Sequence, residues 1–197
     1  PVPGWLGRPL TPADGLPAAQ VDAAVARLAA EGFVVPPLLR DLQLRIGNCA
    51  PLMRHFQRFE APEDWALAVA DEDEDEAVVD EGDDTDESLA DDPPVMFFLD
   101  ENQRVCQWLT DAQGQVYMLV NGELHAEQLA LPQFLAVILP YQLAQGGFPC
   151  SADAVLPKAD LEDERAAILD ELGWPLLAQH NGLTIHGAGS AMLWSLD

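Results

Sequence analysis

Apolar residues in the first part of the chain recur at helical spacing. The stretch 18–31 is rich in alanine, and Gly32 follows it as a stop. Its larger apolar residues are Val21, Val25 and Leu28. A second segment begins near Leu38 and ends at Gly47-Asn48, residues that tolerate a left-handed backbone. Its apolar face consists of Leu38, Leu39, Leu42 and Ile46. Thr11, with Pro12 after it, has the pattern of a helix N-cap. The N-terminal part of the chain is therefore predicted to be helical.

Beyond residue 93 the pattern changes to short apolar runs rich in β-branched and aromatic side chains, which is typical of strands. Turn residues at 100–103 and 111–114 separate the first three runs. The predicted strands span 95–99, 105–109, 116–120 and, in a possible fourth, 123–128. Asn121-Gly122, between the last two, is a strong hairpin signal. The centre of the chain is therefore predicted to be an antiparallel meander.

The last third of the chain returns to helical spacing and then to short strand-like pieces. A helix is predicted from Leu131 to about Ala144, where Gly146-Gly147 breaks it, and another over 161–172. Strand-like pieces at 176–178 and 183–186 lie on either side of Asn181-Gly182. Helices, a meander and further helices predict an α+β fold. We expect a single domain with a central antiparallel or mixed sheet flanked by helices.

One stretch departs from both patterns. Residues 71–92 read DEDEDEAVVDEGDDTDESLADD, with 14 acidic residues and no basic one. Like charges at this density repel one another and favour a disordered insertion. The chain then divides into an N-terminal helical part (1–70), the acidic insertion (71–92), the meander with its helix (93–147) and a C-terminal extension (148–197).

The charge of the whole chain indicates what it binds. It has 34 acidic and 9 basic residues, a formal charge of -25. Phosphates are bound by Lys and Arg, so this charge argues against nucleic acid and anionic membranes and favours a basic protein as partner. The insertion is either a solvated segment that aids solubility or a polyanionic arm that contacts such a partner. The candidate contact residues are Asp73, Glu74, Asp75, Glu76, Asp83 and Asp84.

The cellular location is predicted from two absences. No apolar run approaches the roughly 20 residues of a membrane-spanning helix, and the N-terminal residues lack the pattern of a signal peptide. Cys49, Cys106 and Cys150 are odd in number and far apart, which argues against a disulfide framework and favours buried or half-buried free thiols. We therefore expect a cytoplasmic protein.

Each candidate for catalysis or metal binding has a simpler interpretation. Gly187-Ala188-Gly189-Ser190 lacks the glycine that follows the serine of a nucleophile elbow, so a Gly-rich turn is expected. Cys49 with a distant histidine is a weak nucleophile candidate. A hairpin could bring His180 and His186 together, but structural zinc usually takes four ligands in close pairs. Glu101 is the least trivial acid or base, although a turn carboxylate usually binds backbone amides. We expect no catalysis, no metal and no cofactor.

The first hairpin of the meander resembles the SUKH superfamily. Members often carry an ENQ-V--W pattern there, matched here by Glu101, Asn102, Gln103, Val105 and Trp108. The helix junction GFVVPPL at 32–38 and the late helix with Leu131, Phe134 and Leu135 are also similar to the family. The resemblance covers roughly residues 21–143. It departs at Leu109, where the family often has glycine.

The resemblance implies an α+β fold without catalysis, in which the four motif residues Glu101, Asn102, Gln103 and Trp108 are structural. SUKH members include bacterial immunity proteins that neutralise toxins, many of them nucleases or deaminases with basic surfaces. The resulting hypothesis is an immunity protein that binds and occludes a cognate basic toxin. The alternative is a regulatory or adaptor scaffold that binds a basic protein without any toxin. A hydrolase using Glu101 or Cys49 is disfavoured, because the sequence assembles no catalytic group around either residue.

Overall fold

A computed structural model describes residues 2–68, 93–147 and 158–196 of the chain. The acidic insertion at 71–92 lies outside these ranges, and so do its six candidate contact residues and Cys150.

The N-terminal part is helical, as predicted. Helices α2 and α3 confirm the two expected amphipathic segments, and their buried faces include Val21, Leu28, Leu39 and Ile46. Thr11 begins only a 3-10 turn, because Pro17 interrupts the chain before α2 starts. The helices are α1 (Val2–Trp5), the 3-10 turn Pro12–Asp14, α2 (Ala18–Ala30), α3 (Pro37–Ile46) and α4 (Ala50–Met53).

The meander forms a five-stranded antiparallel sheet in the order β1-β2-β3-β4-β5. Its strands are β1 (Arg58–Phe59), β2 (Met96–Asp100), β3 (Cys106–Thr110), β4 (Gln115–Val120) and β5 (Glu123–Ala130). The prediction placed Asp100 in a turn, and this was wrong: Asp100 ends β2, since it pairs with Arg58 of β1. Asn121 and Gly122 have φ angles of 53° and 85°, the left-handed pair of a type I′ hairpin turn.

Helix α5 (Leu131–Gln142) packs on one face of this sheet and closes the core. The Phe134 ring lies 5.8 Å from the Phe98 ring and 5.9 Å from the Trp108 ring, centroid to centroid. A π-helical turn, Leu143–Gly147, follows α5 where the predicted helix was expected to break. The core therefore lies between α2, α3 and α5 and the inner face of the sheet.

The C-terminal region folds as a second antiparallel sheet packed on α5. Helix α6 (Lys158–Leu172) precedes strands β6 (Leu176–His180), β7 (Leu183–Ala188) and β8 (Ala191–Leu196). The edge-to-face contact of Tyr141 with Trp194, at 5.7 Å, joins this sheet to the helix. Glu127 of β5 accepts a hydrogen bond from Trp108 Nε1 at 3.2 Å and lies 3.4 Å from His180 Nε2, which links the two sheets.

Together these elements confirm the predicted α+β class in a single domain. Among the helices in the described ranges, none is long and apolar enough to cross a membrane.

Candidate functional site

A polar cleft of about 450 Å³ opens on the outer face of the first sheet, near its β1 edge. We call it the polar cleft. It is lined by Arg58, Glu60, Asp64, Ala66, Phe97, Asp100, Arg104 and Gln107. The polar cleft combines a cavity with ionisable side chains that contact one another closely, so it is the candidate site.

Strand register places the centre of the polar cleft. Arg58 pairs with Asp100, and Asp100 pairs with Gln107, so the three side chains form a row across β1, β2 and β3. Their neighbours Phe59, Leu99 and Trp108 form the adjacent row and are buried in the core. Because successive side chains of a strand point to opposite faces, the polar row faces outward.

Asp100 is the carboxylate of the row and is buried, with its side chain 6% exposed. Gln107 Nε2 donates to its Oδ1 at 2.7 Å, and Arg58 Nη2 donates to its Oδ2 at 2.9 Å. Burial alone would raise the pKa of Asp100, but the hydrogen bonds from Gln107, Glu60 and Arg58 hold the pKa below its ordinary value. Asp100 is therefore ionised and fixed in place.

Glu60 lies beside Asp100 and behaves in the opposite way. Its side chain is 12% exposed, and Arg58 Nη2 lies 3.2 Å from its Oε1. Burial, together with the hydrogen bond it shares with Asp100 and the charge of that carboxylate, raises the pKa of Glu60 to about 7. The nearby Arg58 opposes this rise only in part. Two carboxyl groups in contact resist being ionised together, so the pair holds one proton below about pH 7 and loses it as the pH rises through that value.

Arg104 completes the outer side of the polar cleft. Its backbone has a φ of 58°, an uncommon conformation for a residue with a side chain. Its Nε lies 3.8 Å from Asp100 Oδ2, and its side chain is 68% exposed. The guanidinium groups of Arg58 and Arg104 thus approach the same buried oxygen from β1 and from the β2–β3 turn.

The structure places the four motif residues Glu101, Asn102, Gln103 and Trp108 in two different settings. Glu101 lies in the β2–β3 turn, where its Oε2 accepts the Gln103 backbone N–H at 2.7 Å. Asn102 and Gln103 are exposed in that turn. Trp108 is 9% exposed and packs on Phe134. Glu101 therefore caps its own turn and does not line the polar cleft.

The other candidates do not form a site. Cys49 is buried and Cys106 is half-buried, as expected of free thiols, and burial raises the pKa of both. His180 and His186 lie at opposite ends of the β6–β7 ladder, since they pair with Leu183 and Leu176 respectively. Gly189 and Ser190 form the β7–β8 turn. Over the described part of the chain, no group of three or more His, Cys, Asp or Glu side chains could hold a metal ion.

The sequence patterns did not indicate Glu60, Asp100 or Arg58 as site residues. Asp100 directly follows the apolar run 95–99, and this was interpreted as the start of a turn. Glu60 and Arg58 alternate with Phe59, but three residues are too short a pattern to indicate a strand. The alternation of Arg58, Phe59 and Glu60 was the available signal. It indicates a strand only once the pairing of β1 with β2 is known.

Comparison with models of protein families, with curated proteins and with solved structures finds no match to this chain.

Proposed function

We propose that this chain is a non-catalytic binding protein whose partner is a basic protein, and that the partner is a toxin which the chain neutralises by covering it. The observation that carries the proposal is the excess of carboxylates in the chain. The chain has 34 acidic and 9 basic residues, and its charge of -25 gives a strong attraction for a basic surface.

The pairing of the basic side chains supports the proposal. Arg8 binds Asp14 at 2.6 Å, and Arg40 binds Asp22 at 2.8 Å. Arg27 lies 3.4 Å from Glu31, and Arg58 bridges the carboxyl pair in the polar cleft. Because these cations are occupied within the chain, the carboxylates left over are the ones that can attract a partner.

Helix α6 presents part of this excess in a form suited to protein contact. Ile168 is 40% exposed, Glu164 lies one turn before it and Glu171 one turn after it. Leu172, 41% exposed, is the next apolar residue on that side, and both glutamates are exposed. An apolar centre flanked by charges is typical of protein interfaces. Asp163 and Asp170 are exposed on the adjoining side of the helix, next to the two glutamates, and we call the whole surface the α6 surface.

The contacts of the carboxyl pair support the non-catalytic part of the proposal. Both oxygens of Asp100 are engaged by side chains of the chain itself, and Glu60 shares its proton with Asp100. A general acid or base needs a free oxygen within reach of a substrate. The pair is thus better suited to fastening β1 onto β2.

The toxin is the finer part of the proposal, and it rests on the resemblance of the first hairpin to SUKH immunity proteins. Its direct test uses the protein encoded beside this chain. That protein is produced in a host with and without this chain, and growth and binding are measured. The proposal expects growth arrest that co-production relieves, together with a stable complex. A complex without growth arrest would favour an adaptor. The absence of any complex would overturn the proposal that the neighbouring protein is the partner of this chain.

The same complex tests the α6 surface. Neutralising Asp163, Glu164, Asp170 and Glu171 to their amides is expected to weaken binding more than neutralising four exposed carboxylates elsewhere, namely Glu31, Asp41, Glu63 and Glu123. Both variants lose the same charge, so equal weakening would mean that only the net charge matters.

A further inference from the structure

Two arginine side chains converge on one buried oxygen in the polar cleft. Arg58 Nη2 lies 2.9 Å from Asp100 Oδ2, and Arg104 Nε lies 3.8 Å from the same atom. The two side chains are 51% and 68% exposed, so each guanidinium group also faces solvent. A ligand in the polar cleft can therefore reach both groups at once.

The carboxylates of the polar cleft do not cancel these two charges. Glu60 lies beside Asp100 and has a pKa of about 7, so below that pH the pair keeps a proton and carries a single negative charge. Asp64 is exposed at the rim, where water screens its charge. When Asp64 is not counted, Arg58 and Arg104 carry one more positive charge than the carboxyl pair offsets, on a chain whose overall charge is -25.

Hydrogen-bond donors remain available beside an apolar wall. Arg58 uses Nη2 for both carboxyl groups, and the guanidinium group of Arg104 makes no hydrogen bond to any residue that the structure describes. Phe97 is half-buried in the wall of the polar cleft and Ala66 is exposed beside it. Planar guanidinium groups match the two oxygens of a carboxylate, and an aromatic ring offers a face for packing.

We propose that the polar cleft binds a carboxylate carried on an apolar body, with the carboxylate between Arg58 and Arg104 and the body against Phe97. A monoanion fits the single excess positive charge. A doubly charged phosphate exceeds that charge, and the buried Asp100 repels it more strongly than it repels a monoanion. The ligand is either a small aromatic or aliphatic acid or the C-terminal carboxylate of a peptide.

Binding in this site is linked to a proton on Glu60. The charged groups that face Glu60 are Arg58 from β1, Asp100 from β2, Arg104 from the β2–β3 turn and Asp64 from the 3-10 turn Pro62–Asp64. When Glu60 ionises, the excess positive charge is lost. Since its pKa is about 7, affinity for the anion is expected to fall as the pH rises through that value.

The test is a titration of the full chain with benzoate, followed through the backbone amide signals of residues 97–107. We expect saturable shifts at these residues. Arg104→Gln is expected to weaken binding about tenfold or more, because it removes a charge-assisted contact. Arg104→Gly, which suits the positive φ, is a second variant with the same expectation. Arg45→Gln, at an exposed arginine of α3, is the matched control and leaves binding unchanged.

Two further titrations identify the source of the carboxylate and test whether the proton on Glu60 controls binding. A short peptide ending in a phenylalanine carboxylate, compared with its C-terminal amide, shows whether a peptide end is preferred to benzoate. Glu60→Gln stays neutral and is expected to abolish the fall in benzoate affinity above pH 7. Three results would overturn the proposal: no shifts at residues 97–107, equal weakening by Arg104→Gln and Arg45→Gln, or tighter binding of inorganic phosphate than of benzoate.

Discussion

Trp108 joins three parts of the molecule through one side chain. Its ring packs on Phe134 of α5, its Nε1 donates to Glu127 of β5, and it is 9% exposed. Trp108→Ala removes the packing and leaves a cavity, so the free energy of unfolding is expected to fall by about 3–5 kcal/mol in urea denaturation. Val105→Ala, at a side chain 63% exposed, is the control and should change stability by no more than about 0.5 kcal/mol. Unchanged stability in Trp108→Ala would contradict the burial and place the ring in a binding surface.

Neighbouring acidic residues show how far single-residue prediction extends. The sequence directed attention to Glu101, a carboxylate in a predicted turn, and the structure does find it bound to the Gln103 amide of that turn. The carboxylate in the polar cleft is the adjacent Asp100. Its partners Arg58 and Glu60 lie on the other side of the acidic insertion, so only the pairing of β1 with β2 brings the three together. Local pattern cannot supply that long-range pairing.

At the scale of elements, β1 is only two residues long, and the polar cleft contributes to holding it on β2. Arg58 bridges Glu60 and Asp100, and the Glu60 N–H donates to the Phe98 carbonyl at 2.9 Å. The contribution of Glu60 depends on pH. Its pKa is about 7 in the folded chain against an ordinary value of 4.5, so folding favours its protonated form. This contribution is complete below about pH 4.5 and is lost as the pH rises through about 7.

The expected result is a free energy of unfolding that decreases between about pH 5 and pH 8. Asp14, Glu63 and Asp100 have lowered pKa values, so their contributions change in acid, below this window. Glu60→Gln keeps the hydrogen bond and cannot ionise, so its profile should be flatter and its stability above pH 7 should exceed that of the natural chain. Urea denaturation across the window measures both profiles. Glu164→Gln, at an exposed residue of α6, is the control and should retain the slope. Parallel profiles for Glu60→Gln and the natural chain would refute the role of Glu60.

Elements with strong local signals were predicted, and elements that depend on pairing were not. The Asn-Gly turns at 121–122 and 181–182 identified two hairpins, because left-handed backbone at both positions favours these residues. Strand β8 was missed, since AMLWSL follows a Gly-rich turn and lacks strict alternation. Its pairing with β7, from Leu183–Leu196 to Ala188–Ala191, is what makes it a strand. The second sheet was therefore seen only as two isolated pieces.

At the scale of the whole molecule, the two ends that flank the acidic insertion are held side by side. Leu67 and Met96 form an antiparallel bridge, and the Ala68 N–H donates to the Val95 carbonyl at 2.9 Å. The insertion therefore leaves and re-enters the fold at one place, beside Ala66 and Phe97 of the polar cleft. A segment with such neighbouring ends can be shortened without separating the strands it connects.

This geometry permits a clean deletion of residues 71–92. Val69, Ala70, Pro93 and Pro94 remain to connect Ala68 with Val95, so the fold is expected to persist. The deletion removes 14 acidic residues that no basic residue of the segment compensates. Exposed charges act mainly on association rate and are screened over about 8 Å at physiological ionic strength. With the basic partner of the proposed function, association should slow and lose much of its salt dependence, while dissociation should change little.

Stopped-flow association and dissociation rates over a series of salt concentrations measure this effect. The matched control replaces the 14 carboxylates by their amides at constant length, which separates the charge from the length of the segment. It should reproduce the deletion, because attraction at a distance depends on charge. If both variants associate like the natural chain, the insertion is a solvated segment without a role in binding. If both dissociate much faster, its carboxylates contact the partner directly, and the folded surface around α6 is not sufficient to hold the complex.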